Sequence, residues 1–291
     1  MTDGRSKSLN ATSDIPMMSH TAAVNIGLFF GVTGRIITTS SACTSGSQGI
    51  DYAYEAIKFG KADVMIAGGA DEVDVTEPAV FDTLFATSTR NDRPHTSPRP
   101  YDRDGLVIGE GACTLILGER ERAIARGAGI HAELVGFGSN SDGNHVTQPQ
   151  TETMDIAPRL ALEDAGLDPD AIGFVNGHGP ATEWGEIVET KATHAVFGER
   201  MPIHSLKSYF GHSLSACGAM EAWLGIEMMR GRAIRPDHQP GCGGRALRPA
   251  GLCGRRGSTA GNRVSDAQQL RVRRNQHVAG VPPGVMPNMR G

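Results

Sequence analysis

Residues 36–49 read IITTSSACTSGSQG: a short β-branched run, then small residues, a single cysteine at position 43, and the start of a helical pattern. A strand that ends in small side chains and turns into a helix presents its turn residue to a substrate. Ser41, Ala42 and Gly46 are small enough to leave the Cys43 sulfur uncovered. The first amides of such a helix have no partner within it and carry partial positive charge, which favours thiolate over thiol. On that ground Cys43 is expected to be a better nucleophile than a free cysteine of pKa about 8.5, and its own amide could stabilise an oxyanion on an attacked thioester. Free cysteine is also among the most buried residue types. The stretch alone therefore favours a structural cysteine, and only its context can change that.

The rest of the composition narrows that context. A chain of 291 residues, rich in glycine and poor in aromatic residues, suits an α/β protein of one large or two medium domains. The net charge of −4 gives no reason to expect a nucleic-acid partner. Cys43, Cys113, Cys217, Cys242 and Cys253 are odd in number and lack metal-ligand spacing, which argues against a disulfide framework and fits a reducing cytoplasm. No run approaches the roughly 20 apolar residues of a membrane span; the nearest, 22–32, is interrupted by Asn25. No basic segment leads into an apolar core at the start, so no signal peptide is expected. There is no Walker loop and no GxGxxG after a strand, so nucleotide binding has no support. Charge is uneven: residues 241–291 hold nine Arg and one acidic residue, while residues 1–240 carry a net −12. That last segment contains no Lys, Ile or aromatic residue. It reads as foreign to the fold, as an out-of-frame reading of a GC-rich gene would.

Along the chain, short apolar runs alternate with helical patterns. Strands are expected at 35–39, 64–70, from 112, at 132–138 and at 173–176. Helices are expected at 21–30, around Ile50, Ala53, Tyr54 and Ile57 with Gly60 as a cap, at 77–86, in a short charged piece up to Gly127, and at 154–165, 186–197 and 213–230. Asp168-Pro169 opens a turn as a cap and first-position proline would. This alternation predicts a mainly parallel sheet covered on both faces. Residues 139–145, SNSDGNH, lack the acidic ligands of a calcium loop and read as a turn.

Three patterns remain: SSACTSGS around Cys43, NGHGPATEWGE around His178, and KSYFGHSLSACGAMEAW over 207–223. One cysteine and two histidines set among small residues near strand ends suit acyl chemistry on thioesters, although a single histidine is more often a surface or satisfied core residue. With VMIAGGADE, FDTLFATS, RPYDRDGLVIGEGA and LALEDAGLDPDAI in the same order, the chain from about residue 16 to 230 resembles the β-ketoacyl-acyl-carrier-protein synthases. These are the condensing enzymes of fatty acid and polyketide synthesis.

The resemblance implies a thiolase-like layered α/β/α/β/α sandwich, here incomplete at both ends. Residues 1–19 form a flexible N-terminal segment, 20–125 the remainder of the N-terminal half with the nucleophile, and 126–240 the C-terminal half with the two histidines. Residues 241–291 are expected to be an atypical, disordered tail. By the same resemblance Cys43 takes the acyl chain as a thioester, and His178 and His212 stabilise the enolate left when malonyl-carrier protein loses carbon dioxide. Lys207 tunes local charge and Glu221 orders the network, each equally readable as a plain ion-pair partner. Thr182 helps bind the pantetheine arm. Pro180 stands where the family commonly has threonine, and no glycine-rich loop follows Pro240. Cys217 is expected to be structural. No cofactor or metal is implied. The expected partners are acyl carrier proteins bearing acyl and malonyl thioesters, and a second copy in a cytoplasmic homodimer, with neither nucleic acid nor membrane involved. The alternative is a non-catalytic remnant or partner subunit of a condensing enzyme.

Overall fold

The computed structural model describes residues 15, 18–94, 97–98, 100–101, 104–144 and 148–231. The expected tail at 241–291, and all of the expected segment 1–19 except Ile15, Met18 and Ser19, lie outside these residues. In chain order the helices of the first half are α1 (Thr21–Phe30), α2 (Ser45–Lys58), α3 (Thr76–Thr83) and α4 (Arg120–Ala125). Between them run the strands β1 (Val64–Asp71) and β2 (Gly111–Gly118). The second half contains α5 (Thr151–Met154), α6 (Ile156–Ala165), β3 (Val175–Asn176), α7 (Glu183–Phe197), β4 (Ile203–His204), α8 (Lys207–Phe210) and α9 (Cys217–Gly231).

Ile50, Ala53, Tyr54 and Ile57 recur at the spacing of one helix face, and all four are buried on α2. The helix stops at Gly60, whose φ of 66° only glycine adopts without cost, and the Lys61 amide closes the turn onto the Ala56 carbonyl at 2.7 Å. Ile50 and Ala53 meet Ala67 of β1, Cys113 of β2 and Ala219 of α9 in a buried cluster, with Met65, Leu115, Leu117 and Leu134 packed around it. At the edge of this core, Asp164 of α6 accepts hydrogen bonds from the Tyr54 hydroxyl at 2.7 Å and the Phe137 amide at 3.2 Å, and pairs with Lys58. That one carboxylate ties α2, α6 and the 132–138 stretch together.

The expected mainly parallel sheet is corrected in the first half. β1 and β2 form an antiparallel ladder, paired throughout from Val64↔Gly118 to Asp71↔Gly111. Alternation of strand and helix says that both faces are covered, but not which way the chain returns. A crossover helix must run back along the strand. α3 has eight residues, about 12 Å at 1.5 Å each, and the long loop after it re-enters at the end where β1 finished. The parallel unit lies in the second half, where α7 joins β3 to β4 in register Val175↔Ile203 and Asn176↔His204.

Two further strands expected from local β preference, 35–39 and 132–138, pair in no ladder among the described residues. The second is held instead by α6, which passes so close that a Cβ on Gly138 would sit 2.2 Å from the Ala157 carbonyl oxygen. The helix expected over 154–165 is divided at Asp155 into α5 and α6, and the one expected over 213–230 begins as a 3₁₀ turn, Leu214–Ala216.

The halves meet at the Ser215 carbonyl. A Cβ on Gly46 of α2 would lie 2.6 Å from that oxygen, and one on Gly69 of β1 would lie 2.2 Å from it. These two glycines are where α2, β1 and the turn before α9 come into backbone contact, so they set how near Cys43 comes to the loop of His212. Gly69→Ala is expected to lower stability by about 1–3 kcal/mol, because backbone rather than a flexible side chain must move. Gly129→Ala, with nothing within 4 Å, is expected to be neutral. Urea unfolding of the two variants beside the parent checks this.

Candidate active site

Cys43 sits in a 3₁₀ turn, Ala42–Thr44, that opens α2. Its neighbour Ala42 has φ 51°, a left-handed conformation that costs a non-glycine residue about 1 kcal/mol or more. Hydroxyl groups hold the turn from inside. Ser45 Oγ donates to the Ala42 carbonyl at 2.7 Å and accepts from the Ser41 amide at 2.9 Å. Thr39 Oγ1 donates to the Ser45 carbonyl at 2.8 Å, and Ser41 Oγ to Gln48 Oε1 at 2.6 Å. The serines and threonines of the stretch thus anchor a strained backbone as well as leaving room.

The expectation of a favoured thiolate is corrected. Burial pushes the Cys43 thiol up to about 11 and the nearby Cys217 adds to the rise, while Lys207 opposes it. A helix terminus acts over a turn or so and is worth a fraction of a kcal/mol to about 2. Loss of water around the sulfur outweighs it.

The two histidines arrive on separate loops. His178 follows β3 and is fixed through its backbone: Glu189 Oε1 accepts from the His178 amide at 2.5 Å and Oε2 from the Gly179 amide at 2.9 Å. Three residues earlier on α7, Glu186 accepts from the Ala181 amide at 2.8 Å and the Tyr101 amide at 2.7 Å. Ala181 and Tyr101 both have left-handed φ, 68° and 65°. His212 lies between α8 and the turn before α9, strapped to the 107–109 segment by two backbone bonds, His212 N to Val107 O at 2.7 Å and Gly109 N to His212 O at 3.0 Å. The imidazole rings meet edge to face, centroids 5.1 Å apart. One ligand-type atom from each of Cys43, His178 and His212 lies within 4.8 Å of the others.

Behind the rings is Lys207, with no exposed surface. Its ammonium donates to Glu221 Oε1 at 2.5 Å and lies 3.4 Å from His178 Nδ1. Burial alone would lower Lys207, but Glu221, Cys217 and Glu189 outweigh it and hold the group above its ordinary value. Burial raises Glu221 as well, so the partners pull in opposite senses. The 2.5 Å contact and the net rise of Lys207 favour the ionic form. An ammonium has no lone pair, so it can only donate to His178 Nδ1. In the same way the Leu214 amide donates to His212 Nδ1 at 3.1 Å. Both Nδ1 atoms are acceptors, and each neutral ring carries its proton on Nε2.

Both imidazoles are held neutral. Burial, then Lys207, pushes His212 down to about 3. His178 keeps exposed area, yet protein packs densely round its ring, and burial with Lys207 and His212 drives it well below its usual value. The Cys43, His178 and His212 set spans a distance a metal ion could bridge, but the chemistry is wrong for one. A metal-binding imidazole gives its outer N–H to an acceptor, whereas here both outer nitrogens face donors.

Of the remaining expected residues, Thr182 caps the start of α7 without a side-chain capping bond and is half-buried. Asn140 donates to the Thr153 carbonyl at 2.8 Å, and the Asn144 amide donates to Asp142 Oδ1 at 3.1 Å, as in a turn. His145 lies outside the described residues. Glu186, Glu189 and Cys217 were not singled out for the site by sequence. Two glutamates three apart, just after the small-residue run of His178, were the available signal for the first two.

Beneath the site His204, on β4, is 3% exposed and neither ring nitrogen has a hydrogen-bond partner among the described residues. Burial lowers it to about 4, and its ring packs on Phe174, centroids 5.6 Å apart.

Residues 2–123 match the family described as "Beta-ketoacyl synthase, N-terminal domain", and residues 131–239 match "Beta-ketoacyl synthase, C-terminal domain". The chain is 39% identical over 223 residues to 3-oxoacyl-[acyl-carrier-protein] synthase 2 of Vibrio cholerae serotype O1, covering 74% of this chain and 54% of that one. A crystal structure of a beta-ketoacyl synthase from Burkholderia phymatum superposes with a TM-score of 0.84 at 55% identity, over 87% of this chain and 63% of that one. A type II polyketide ketosynthase in complex with its acyl carrier protein, bound to a hexaketide, superposes with a TM-score of 0.75 at 30% identity, over 82% and 62%. The chain spans about half the length of the curated relatives it matches.

Two expectations can be measured directly. Alkylation of Cys43 by iodoacetamide, followed by peptide mass, should be slow at pH 8 and rise steadily towards pH 11; a plateau below pH 8 would contradict the burial effect. His204 binds a proton less readily folded than unfolded, so its contribution to stability is full above about pH 6.5 and is lost as pH falls towards 4. That amounts to roughly 2 kcal/mol by pH 5. His204→Phe should unfold with a shallower acid dependence than the parent in urea titrations at pH 8 and pH 5.

Proposed function

The chain belongs to the β-ketoacyl synthase family, and on that premise we propose that it carries out decarboxylative condensation of malonyl-carrier protein with an acyl group held on Cys43. The reading rests most on one observation: two neutral imidazoles, each with its proton assigned to Nε2 by a donor behind Nδ1, stand within 4.8 Å of a strained-turn cysteine.

In the first step the Cys43 sulfur attacks an acyl-carrier-protein thioester. A bond forms from sulfur to the acyl carbon, the carbon–sulfur bond to pantetheine breaks, and the carrier thiol leaves with the proton that Cys43 gives up. In the second, malonyl-carrier protein loses carbon dioxide and the electron pair of the broken carbon–carbon bond delocalises onto the thioester oxygen. Nε2–H of His178 and of His212 stabilise that enolate. No external base is needed, because decarboxylation itself generates the carbanion. The enolate carbon then attacks the Cys43 thioester, and the cysteine sulfur leaves as the chain grows by two carbons. Lys207 acts behind His178, Glu221 keeps Lys207 charged, and Thr182 helps hold the pantetheine arm.

We infer further that the two halves divide near residue 125, where the matches to the N- and C-terminal family domains change over. Cys43, Cys113 and Cys217 are all free, which fits a cytoplasmic setting, and among the described residues no helix is long and apolar enough to cross a membrane. Leu28, Phe29 and Phe30 at the end of α1 stand 65–82% exposed, with Ile36 and Ile37 also exposed. This apolar patch supports a homodimer.

Intact mass after incubation with an acyl-carrier-protein thioester tests the first step. The expected result is a covalent adduct that is absent from Cys43→Ala. Decarboxylation of malonyl-carrier protein tests the second, and His178→Ala or His212→Ala should each slow it roughly 10²-fold or more. Folded protein that gains no adduct would support the non-catalytic partner subunit instead.

A further inference from the structure

The side chain behind His212 is a second cysteine. Cys217 is 1% exposed and opens α9, with its Sγ 3.1 Å from His212 Nδ1. The same nitrogen accepts the Leu214 amide at 3.1 Å, so it holds a lone pair and no proton. The Cys217 sulfur lies at the same distance from that one lone pair, so its thiol hydrogen can only share it with the amide, in a three-centre bond. The Ser213 hydroxyl reaches two sulfurs, Cys217 Sγ at 3.6 Å and Met220 Sδ at 3.5 Å, and its one hydrogen is shared between them. A one-way relay results: Cys217 S–H to His212 Nδ1, and His212 Nε2–H towards the pocket. Were the Cys217 proton on Nδ1 instead, it would meet the Leu214 amide hydrogen head-on.

We propose that Cys217 is a positioning residue for His212, its S–H and the Leu214 N–H together keeping Nδ1 an acceptor and so keeping the ring's proton on Nε2. It touches no substrate and acts only through the imidazole. Rigid backbone supplies one donor and a side chain the other, so substitution can remove the second without disturbing the first. The proposal deepens the condensing reading above and rests on it for its effect on rate.

The test uses the full chain, ¹⁵N-labelled at histidine, with His212 assigned by difference against His212→Asn. In the parent the His212 nitrogens should show the shifts of a pure Nε2–H tautomer. In Cys217→Ala they should move towards a mixture, and kcat for condensation with malonyl-carrier protein should fall about tenfold, the scale of one lost hydrogen bond, with little change in KM. Cys217→Ser, which restores a donor, should recover both. Unchanged His212 shifts in Cys217→Ala overturn the proposal, as does a variant whose tautomer shifts without loss of rate. Equal impairment of Ser and Ala variants with unmoved shifts would mean a packing role and overturns it too. If the parent itself does not condense, the functional reading fails, while the nitrogen shifts still decide for or against Cys217.

Discussion

A lysine with no exposed surface is the constraint from which the rest of this site follows. Removing an ammonium from water costs several kcal/mol unless a countercharge and good geometry replace the lost solvation. Glu221 supplies that countercharge at 2.5 Å from the next helix. Once fixed, the Lys207 charge works in three directions. It donates to His178 Nδ1, it opposes protonation of both imidazoles, and it draws the half-buried Cys43 thiol partway back towards ionisation. The histidines are neutral donors chiefly because burial strips water from their rings, and the cation behind them adds to that effect. Chemistry that needs imidazolium is thereby closed, and chemistry that needs an N–H aimed at a developing oxyanion is open.

The loops that carry these groups are pinned through backbone rather than side chain. Glu186 and Glu189 use carboxylates as clamps, each taking two amides, and three of the four amides belong to residues with left-handed φ, Gly179, Ala181 and Tyr101. Such strain persists only where the surroundings over-determine it. Here the surrounding element is α7, and the periodicity of that one helix delivers both clamps to the same side. His212 is held differently, by short bonds to 107–109, so the two histidines are set by independent supports and meet at a right angle.

Much of this could be read before any coordinates. Cys43, His178 and His212 lie in unusual small-residue surroundings, while the close backbone approach at Gly46 and Gly69 became visible only in the structure. The buried face of α2 is visible in the spacing of Ile50, Ala53, Tyr54 and Ile57. What stayed hidden depends on relations between distant residues. Strand direction in β1 and β2 is decided by where a long loop re-enters, and no local pattern records that. The thiol of Cys43 was misjudged because helix polarity is visible in sequence while desolvation is not. Cys217 was taken for packing because its value lies in one contact, 3.1 Å to a ring nitrogen five residues earlier, which helical periodicity alone does not imply.

The height of the Cys43 thiol above its ordinary value bears on survival as well as catalysis. Peroxides attack the thiolate, and the steps from sulfenic to sulfonic acid begin there. A thiol that rests protonated presents almost no anion to an oxidant at neutral pH. In the proposed reaction, reactivity then depends on a bound thioester whose departing carrier thiol takes up the proton as the new carbon–sulfur bond forms. The same burial that slows indiscriminate alkylation also slows oxidation of this sulfur.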